Sequence, residues 1–225
     1  MSKLTDAALW FKKTFGPQIR PAIDGTPFSV DLLTAIAIQE TYEIWGRIYQ
    51  TLTPDEVLQL CVGDVIGEPR RGVFPKTKAD LLAAPRGNEM FDIAHQSLIA
   101  LAAHATEYQK YADNPDRFCH AFGIFQYDIQ FFRDDPEFFL QRKWFSFDEC
   151  VARCVRELRR VTAKTFGKDK STLNEIESVY VAIGYNSGSV NITAGLKQGF
   201  KDDTGKYYGE YVADYLRTAQ QAIVT

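Results

Sequence analysis

The sequence predicts a mainly α fold with an inserted loop-rich lobe, and three observations carry that expectation. Several segments open with helix-capping residues and continue with apolar positions at helical spacing. A long run from about Asn88 to Asp113 is rich in Ala, Leu, Gln and Glu and holds no Pro or Gly inside it. The strongest helix breakers are concentrated in one stretch, Pro54 to Asn88, which contains Gly63, Gly67, Pro69, Gly72, Pro75, Pro85 and Gly87.

Taken in order, Ser29 caps a helix expected from about Ser29 to Tyr49, with Asp31 in its first turn and an apolar stripe through Leu33, Ile36, Ala37 and Ile44. The breaker-rich stretch reads as loops with a short hairpin around Gly72 to Lys76. The Asn88 to Asp113 run reads as one helix. Ser146 to Glu149 and Thr172 to Glu175 both have the capping-box pattern. The first leads into Cys150, Val151, Cys154, Val155 and Leu158, the second into Ile176, Val179, Tyr180 and Ile183. A last helix is expected from Tyr208 to Ile223, with Gly209 near its start. No repeat, low-complexity tract or long linker is present, so the expected organisation is a single domain over 1–225 with an inserted segment at about 51–115.

Composition limits the function classes. With 45% hydrophobic and 13% aromatic residues in 225, the chain can bury a sizeable core. A formal net charge of -3 lacks the basic footprint of nucleic-acid binders. The first residues, MSKLTDAALWFKKTFG, hold no apolar core of a signal peptide, and no later run approaches a membrane span. Synthesis in the cytoplasm without an export signal is therefore expected. Cys61, Cys119, Cys150 and Cys154 are too sparse for a disulfide scaffold and read as buried thiols, the last two on the apolar face of one helix. His95, His104 and His120 show no metal-ligand spacing, so no metal or cofactor is expected; His120 alone sits beside a block of chemical interest.

Three blocks carry chemistry. Glu40 shares the stripe of Leu33, Ile36, Ala37 and Ile44, which turns its carboxyl toward the apolar side. Desolvation there raises a carboxyl pKa, the property a general acid needs near neutral pH; a buried Glu paired with Arg or capped by amides has the same pattern. Phe122 to Asp128 combines Gly123, Gln126 and Asp128 in an aromatic setting, the mixture a sugar site uses, and reads equally as a core strand or turn with a polar edge. Ala182 to Gly188 ends a helix at Gly188, with Tyr185 and Asn186 at that end available to a ligand, or forms an ordinary turn.

In order along the chain, these blocks resemble the lytic transglycosylases and their goose-type lysozyme relatives. Ala35-Ile-Ala-Ile-Gln-Glu-Thr41 is similar to the family helix ending in its catalytic Glu, Gly123-Ile-Phe-Gln126 to its Gly-Leu-Met-Gln segment, Tyr185-Asn-Ser-Gly188 to its Tyr-Asn-Ala-Gly segment, and Tyr211-Val212 to its late Tyr-Val pair. The resemblance covers roughly 29–50 and 120–220, with a longer intervening stretch than the family pattern. It implies a lysozyme-like helical domain that cleaves the β-1,4 link between N-acetylmuramic acid and N-acetylglucosamine in peptidoglycan. Glu40 would be the general acid, and Gln126, Tyr185, Asn186 and Tyr211 would bind substrate, Tyr211 beside Glu40.

Asp128 is similar to a goose-type Asp that holds the attacking water. It tilts the expectation toward hydrolysis over formation of a 1,6-anhydro end. The goose-type Asp that lies shortly after the catalytic Glu has no counterpart, since Asp55 stands in a different context. The alternatives are another β-linked glucan or chitin-like substrate, or a non-catalytic glycan-binding module. Action at a cell wall without an export signal would require a delivery route, such as release by a membrane partner or secretion as a toxin with an immunity partner.

Overall fold

The computed structural model describes residues 2–65 and 71–224. Helix accounts for 63% of the described residues, which makes the protein mainly α. The helices among the described residues are α1 (Lys3–Ala22), α2 (Val30–Ile48), α3 (Pro54–Leu60), α4 (Lys78–Leu82), α5 (Gly87–Ala102), α6 (Gln109–Ala112), α7 (Pro136–Leu140), α8 (Phe147–Phe166), α9 (Glu175–Ser187) and α10 (Tyr208–Gln221). Three two-residue strands, β1 (Val62–Gly63), β2 (Ala121–Phe122) and β3 (Tyr127–Asp128), form an antiparallel sheet in the order β1-β2-β3. None of the described helices is long and apolar enough to cross a membrane.

The chain divides into two compact units, residues 1–42 with 151–225 and residues 43–150. In the intervening unit Val62 pairs with Phe122 and Gly63 with Ala121, so residues beyond 115 fold with the breaker-rich stretch.

In the first unit, α1 packs on α10 and α10 on α9. The Ser29 hydroxyl accepts the Leu32 N–H at 3.1 Å, as a helix cap should. Every residue of α2 from Leu32 to Ile38 is buried, so this half of the helix is enclosed on all sides. Helix α1 has no counterpart in the sequence reading. Its Ala7, Ala8, Phe11, Phe15 and Ile19 form a buried helical stripe, which Pro17 and Pro21 obscure. Helix α9 starts later than the Thr172 box predicts. Asn174 accepts the Glu177 N–H and Glu177 accepts the Asn174 N–H, both at 2.9 Å, while Lys170 pairs with Glu177 at 2.6 Å. A second capping pair with its own counterion outcompetes the first.

In the second unit, three expectations are corrected. The breaker-rich stretch contains α3 and α4, because Pro54 occupies the first helical position after a Thr53 and Glu56 capping box and Thr77 caps α4. Proline at that position starts a helix instead of breaking one. The hairpin around Gly72 to Lys76 is absent: Arg71 binds the Phe74 carbonyl at 3.2 Å and the Arg133 guanidinium lies over the Phe74 ring, so side chains hold this irregular turn in place of a ladder. Gly67 and Pro69 of the same stretch lie outside the described residues. The run from Asn88 to Asp113 is two helices, α5 and α6, separated by an extended Ala105 and a 3-10 turn at Thr106–Tyr108. Ala105 is buried and Glu107 pairs with Arg47 at 2.5 Å, so tertiary contacts override a favourable helix propensity. An aromatic core of Phe122, Phe132, Phe138, Phe139 and Trp144 backs the sheet.

Candidate active site

Glu40 stands where α2 leaves its fully buried segment; the residue is half-buried, but its carboxyl is strongly desolvated. Burial lifts its pKa from 4.5 to about 7, and a hydrogen bond from Tyr208 opposes part of that rise. Tyr208 is buried in the first turn of α10, and its hydroxyl donates to Glu40 Oε1 at 2.8 Å. Burial, followed by the proximity of Glu40, raises the Tyr208 pKa well above its usual value, so it remains a donor.

Tyr185 lies near the same group. Its hydroxyl is held well above the ordinary range by burial first, then by Cys154, Glu40 and Tyr208. Cys154 comes from α8, Tyr185 from the last turn of α9 and Tyr208 from α10. Two helices of the first unit thus bring tyrosine hydroxyls toward one carboxyl on α2, with the Cys154 thiol beside the two tyrosines. Such a carboxyl is protonated in a substantial fraction of molecules at neutral pH and has a fixed orientation, the two attributes of a general acid.

The other predicted residues of the first unit occupy different environments. Gly188 ends α9 with φ 74°, as the sequence suggests, and leaves Asn186 exposed next to Tyr185. Tyr211, expected beside Glu40, donates its hydroxyl to Asp202. The Tyr–Glu contact belongs to Tyr208, one helical turn earlier. The signal was present in the periodicity of α10, since Tyr208 shares a buried face with Val212, Leu216 and Ala219, whereas Tyr211 and Tyr215 are half-buried.

In the second unit, the Phe122 to Asp128 block is a β-hairpin whose turn uses positive φ at Gly123 (82°) and Gln126 (52°). A Cβ on Gly123 would stand 2.7 Å from Cys150 Sγ, so both conformation and space require glycine. The Gln126 amide closes the turn, with Nε2 donating to the Gly123 carbonyl at 2.9 Å. Asp128 is paired with Arg71 and accepts the Gln130 N–H at 2.6 Å. Its pKa is raised, because burial outweighs the stabilising effects of Arg71 and the Gln130 amide.

Arg71 is the residue of this unit that sequence reasoning missed. Its side chain is 7% exposed and joins Asp64 at 3.1 Å as well as Asp128. His120 binds the Asp64 carbonyl through Nδ1 at 2.7 Å, and burial with the neighbouring Arg71 pushes its pKa down to about 4. The ring is therefore neutral at physiological pH. Asp64 follows β1, His120 precedes β2 and Asp128 ends β3, so the sheet itself gathers the cluster around Arg71.

All four cysteines are buried and none is in a disulfide, as their positions suggested. Among the described residues, no three His, Cys, Asp or Glu side chains are arranged to hold a metal ion. No protein-family model, curated protein or solved structure matches the chain.

Proposed function

We propose that this protein cleaves a glycosidic bond in peptidoglycan, the β-1,4 link between N-acetylmuramic acid and N-acetylglucosamine, with Glu40 as general acid on a lysozyme-like helical scaffold. The observation that carries this reading is the Glu40 carboxyl, raised by burial to about 7 and aligned by the Tyr208 hydroxyl. A buried carboxyl is costly to a fold, and here no Arg or Lys pairs with it among the described residues. The four matched sequence segments supply the substrate class by resemblance to lytic transglycosylases and goose-type lysozymes.

Glu40 protonates the leaving oxygen as the sugar acquires oxocarbenium character. The ion pair with Arg71 favours completion by the sugar's own 6-hydroxyl, with the Glu40 carboxylate accepting that proton to give a 1,6-anhydro end. Water activation by Asp128 would have to compete with Arg71 and the Gln130 N–H for the same carboxylate. This reverses the tilt toward hydrolysis that Asp128 gave in the sequence. Asn186 and Tyr185 are the substrate contacts of the first unit in this reading.

Digestion of purified peptidoglycan by the wild type and by Glu40→Gln, with mass spectrometry of the released products, tests the proposal. Anhydro-ended fragments from the wild type alone are expected. Reducing-ended fragments would replace the anhydro route with hydrolysis, and equal release by both proteins would remove Glu40 from the reaction.

A further inference from the structure

A groove of about 260 Å³ lies wholly within the second unit, away from any residue assigned above. Its floor is formed by Leu60 and Ser97, which are buried, with Leu52 and the half-buried Phe145. Gln59, Gln96 and Arg142 stand exposed on its rim. Among the described residues, these three side chains have no hydrogen-bond or ion-pair partner, so their donors are available to a ligand. The Phe145 ring is oriented by an edge contact with Trp144, at 5.2 Å between centroids. Glu56 also borders the groove as an anion, its carboxylate turned to the Thr53 N–H and hydroxyl at the start of α3, and the Arg142 guanidinium is the cation on the rim with no ion-pair partner among the described residues.

The backbone adds an independent indication. Arg142 has φ 50° and ψ 41°, the left-handed region that a long side chain rarely adopts. Strained positions of this kind are concentrated at ligand clamps and active sites. Here the conformation begins the 3-10 turn that contains Phe145 and sets the guanidinium on the rim beside the ring.

We propose that this groove binds a carboxylate-bearing amino sugar: Phe145 packs on the C–H face of the ring, the Gln59 and Gln96 amides bind hydroxyl or acetamido groups, and Arg142 pairs with the carboxylate. The ligand class rests on the peptidoglycan reading, because the lactyl group of N-acetylmuramic acid supplies such a carboxylate. The volume is below the roughly 300–1,000 Å³ of drug-sized sites, in keeping with one sugar ring or the end of a disaccharide. An arginine recognises a carboxylate through paired N–H donors, which separates acidic from neutral sugars.

The test titrates full-length Glu40→Gln protein, which removes turnover, with the disaccharide of N-acetylglucosamine and N-acetylmuramic acid and separately with the neutral disaccharide of N-acetylglucosamine. Binding is read from amide shifts at residues 52–60, 96–104 and 142–145. The acidic sugar is expected to shift these amides and bind about tenfold more tightly than the neutral one. Arg142→Asn, which tolerates the same backbone conformation, abolishes that preference and leaves neutral binding unchanged. Gln59→Ala with Gln96→Ala weakens both sugars.

Shifts absent from these residues, a preference that survives Arg142→Asn, or tighter binding of a short acidic peptide would overturn the proposal. Failure of the wild type to digest peptidoglycan would remove the cleavage reading alone, since the binding comparison contains no turnover.

Discussion

Tyr208 donates its hydroxyl to Glu40 Oε1 at 2.8 Å, joining residues 168 positions apart in the chain. The bond stabilises the charged carboxylate, whereas the surrounding burial favours the neutral acid. Because burial is the larger effect, Glu40 titrates near neutrality and still presents its carboxyl in one orientation.

The first prediction concerns stability against pH. The folded-state pKa of Glu40 is raised, so its protonated form is the one the fold favours. The associated stability is fully present below about 4.5 and is lost as pH rises through about 7, a total of about 3 kcal/mol. Glu40→Gln should match the wild type in urea unfolding at pH 4 and exceed it by about 2–3 kcal/mol at pH 8.5. Equal stability at both pH values would mean that the Glu40 carboxyl is not desolvated.

Tyr208→Phe removes the contact that lowers the Glu40 pKa. The alkaline limb of the pH–rate profile, where the acid loses its proton, should move to higher pH. The maximal rate should fall about tenfold through loss of orientation. A rate loss with an unmoved limb would assign Tyr208 a purely packing role.

Arg71→Met strands the carboxylates of Asp64 and Asp128 and should destabilise the protein by about 3 kcal/mol in denaturant unfolding. Asp128→Asn keeps the shape and should cost less, about 1 kcal/mol. If Asp128 serves the fold through Arg71, peptidoglycan digests by Asp128→Asn keep their anhydro ends; their disappearance would restore Asp128 to the chemistry.

Gly209 tests the packing that places Tyr208. A Cβ there would meet the Leu196 carbonyl at 2.4 Å and Ile183 Cδ1 at 2.6 Å. Gly209→Ala should cost about 1–3 kcal/mol in thermal unfolding and displace the start of α10. The same variant should slow cleavage more than its stability loss explains, because Tyr208 is the adjacent residue.

Apolar spacing was sufficient to place α2, α8, α9 and α10, and the Ser29 cap of α2 agrees with the structure, whereas the cap of α9 moved from Thr172 to Asn174. Local signals also drew attention to Glu40, although α2 is buried on all sides from Leu32 to Ile38 and its stripe alone does not separate Glu40 from its neighbours. The partners were harder to read. Choosing Tyr208 over Tyr211 requires the face of α10 that turns inward, and the Tyr-Val resemblance pointed to the other residue.

Arg71 was invisible for a different reason. It lies in the breaker-rich stretch, and only the pairing of β1 with β2 brings Asp64 and Asp128 to it. Thr53-Pro-Asp-Glu56 was a legible capping box whose proline disguised it. The break after Ala102 had no local signal, since the residues around it favour helix while the burial of Ala105 and the pairing of Glu107 with Arg47 are tertiary.

The burial of Cys61, Cys119, Cys150 and Cys154 has a practical consequence. Cys119 shows it most clearly, since desolvation drives its pKa far above the range in which a thiolate forms in water. In the folded protein the native thiols are shielded from alkylating reagents and from intermolecular crosslinking in air. A cysteine engineered at an exposed position such as Ala100, on the rim of the Arg142 groove, would therefore be the fast-reacting thiol of the molecule. A single fluorophore or spin label could then report sugar occupancy there without removal of any native cysteine.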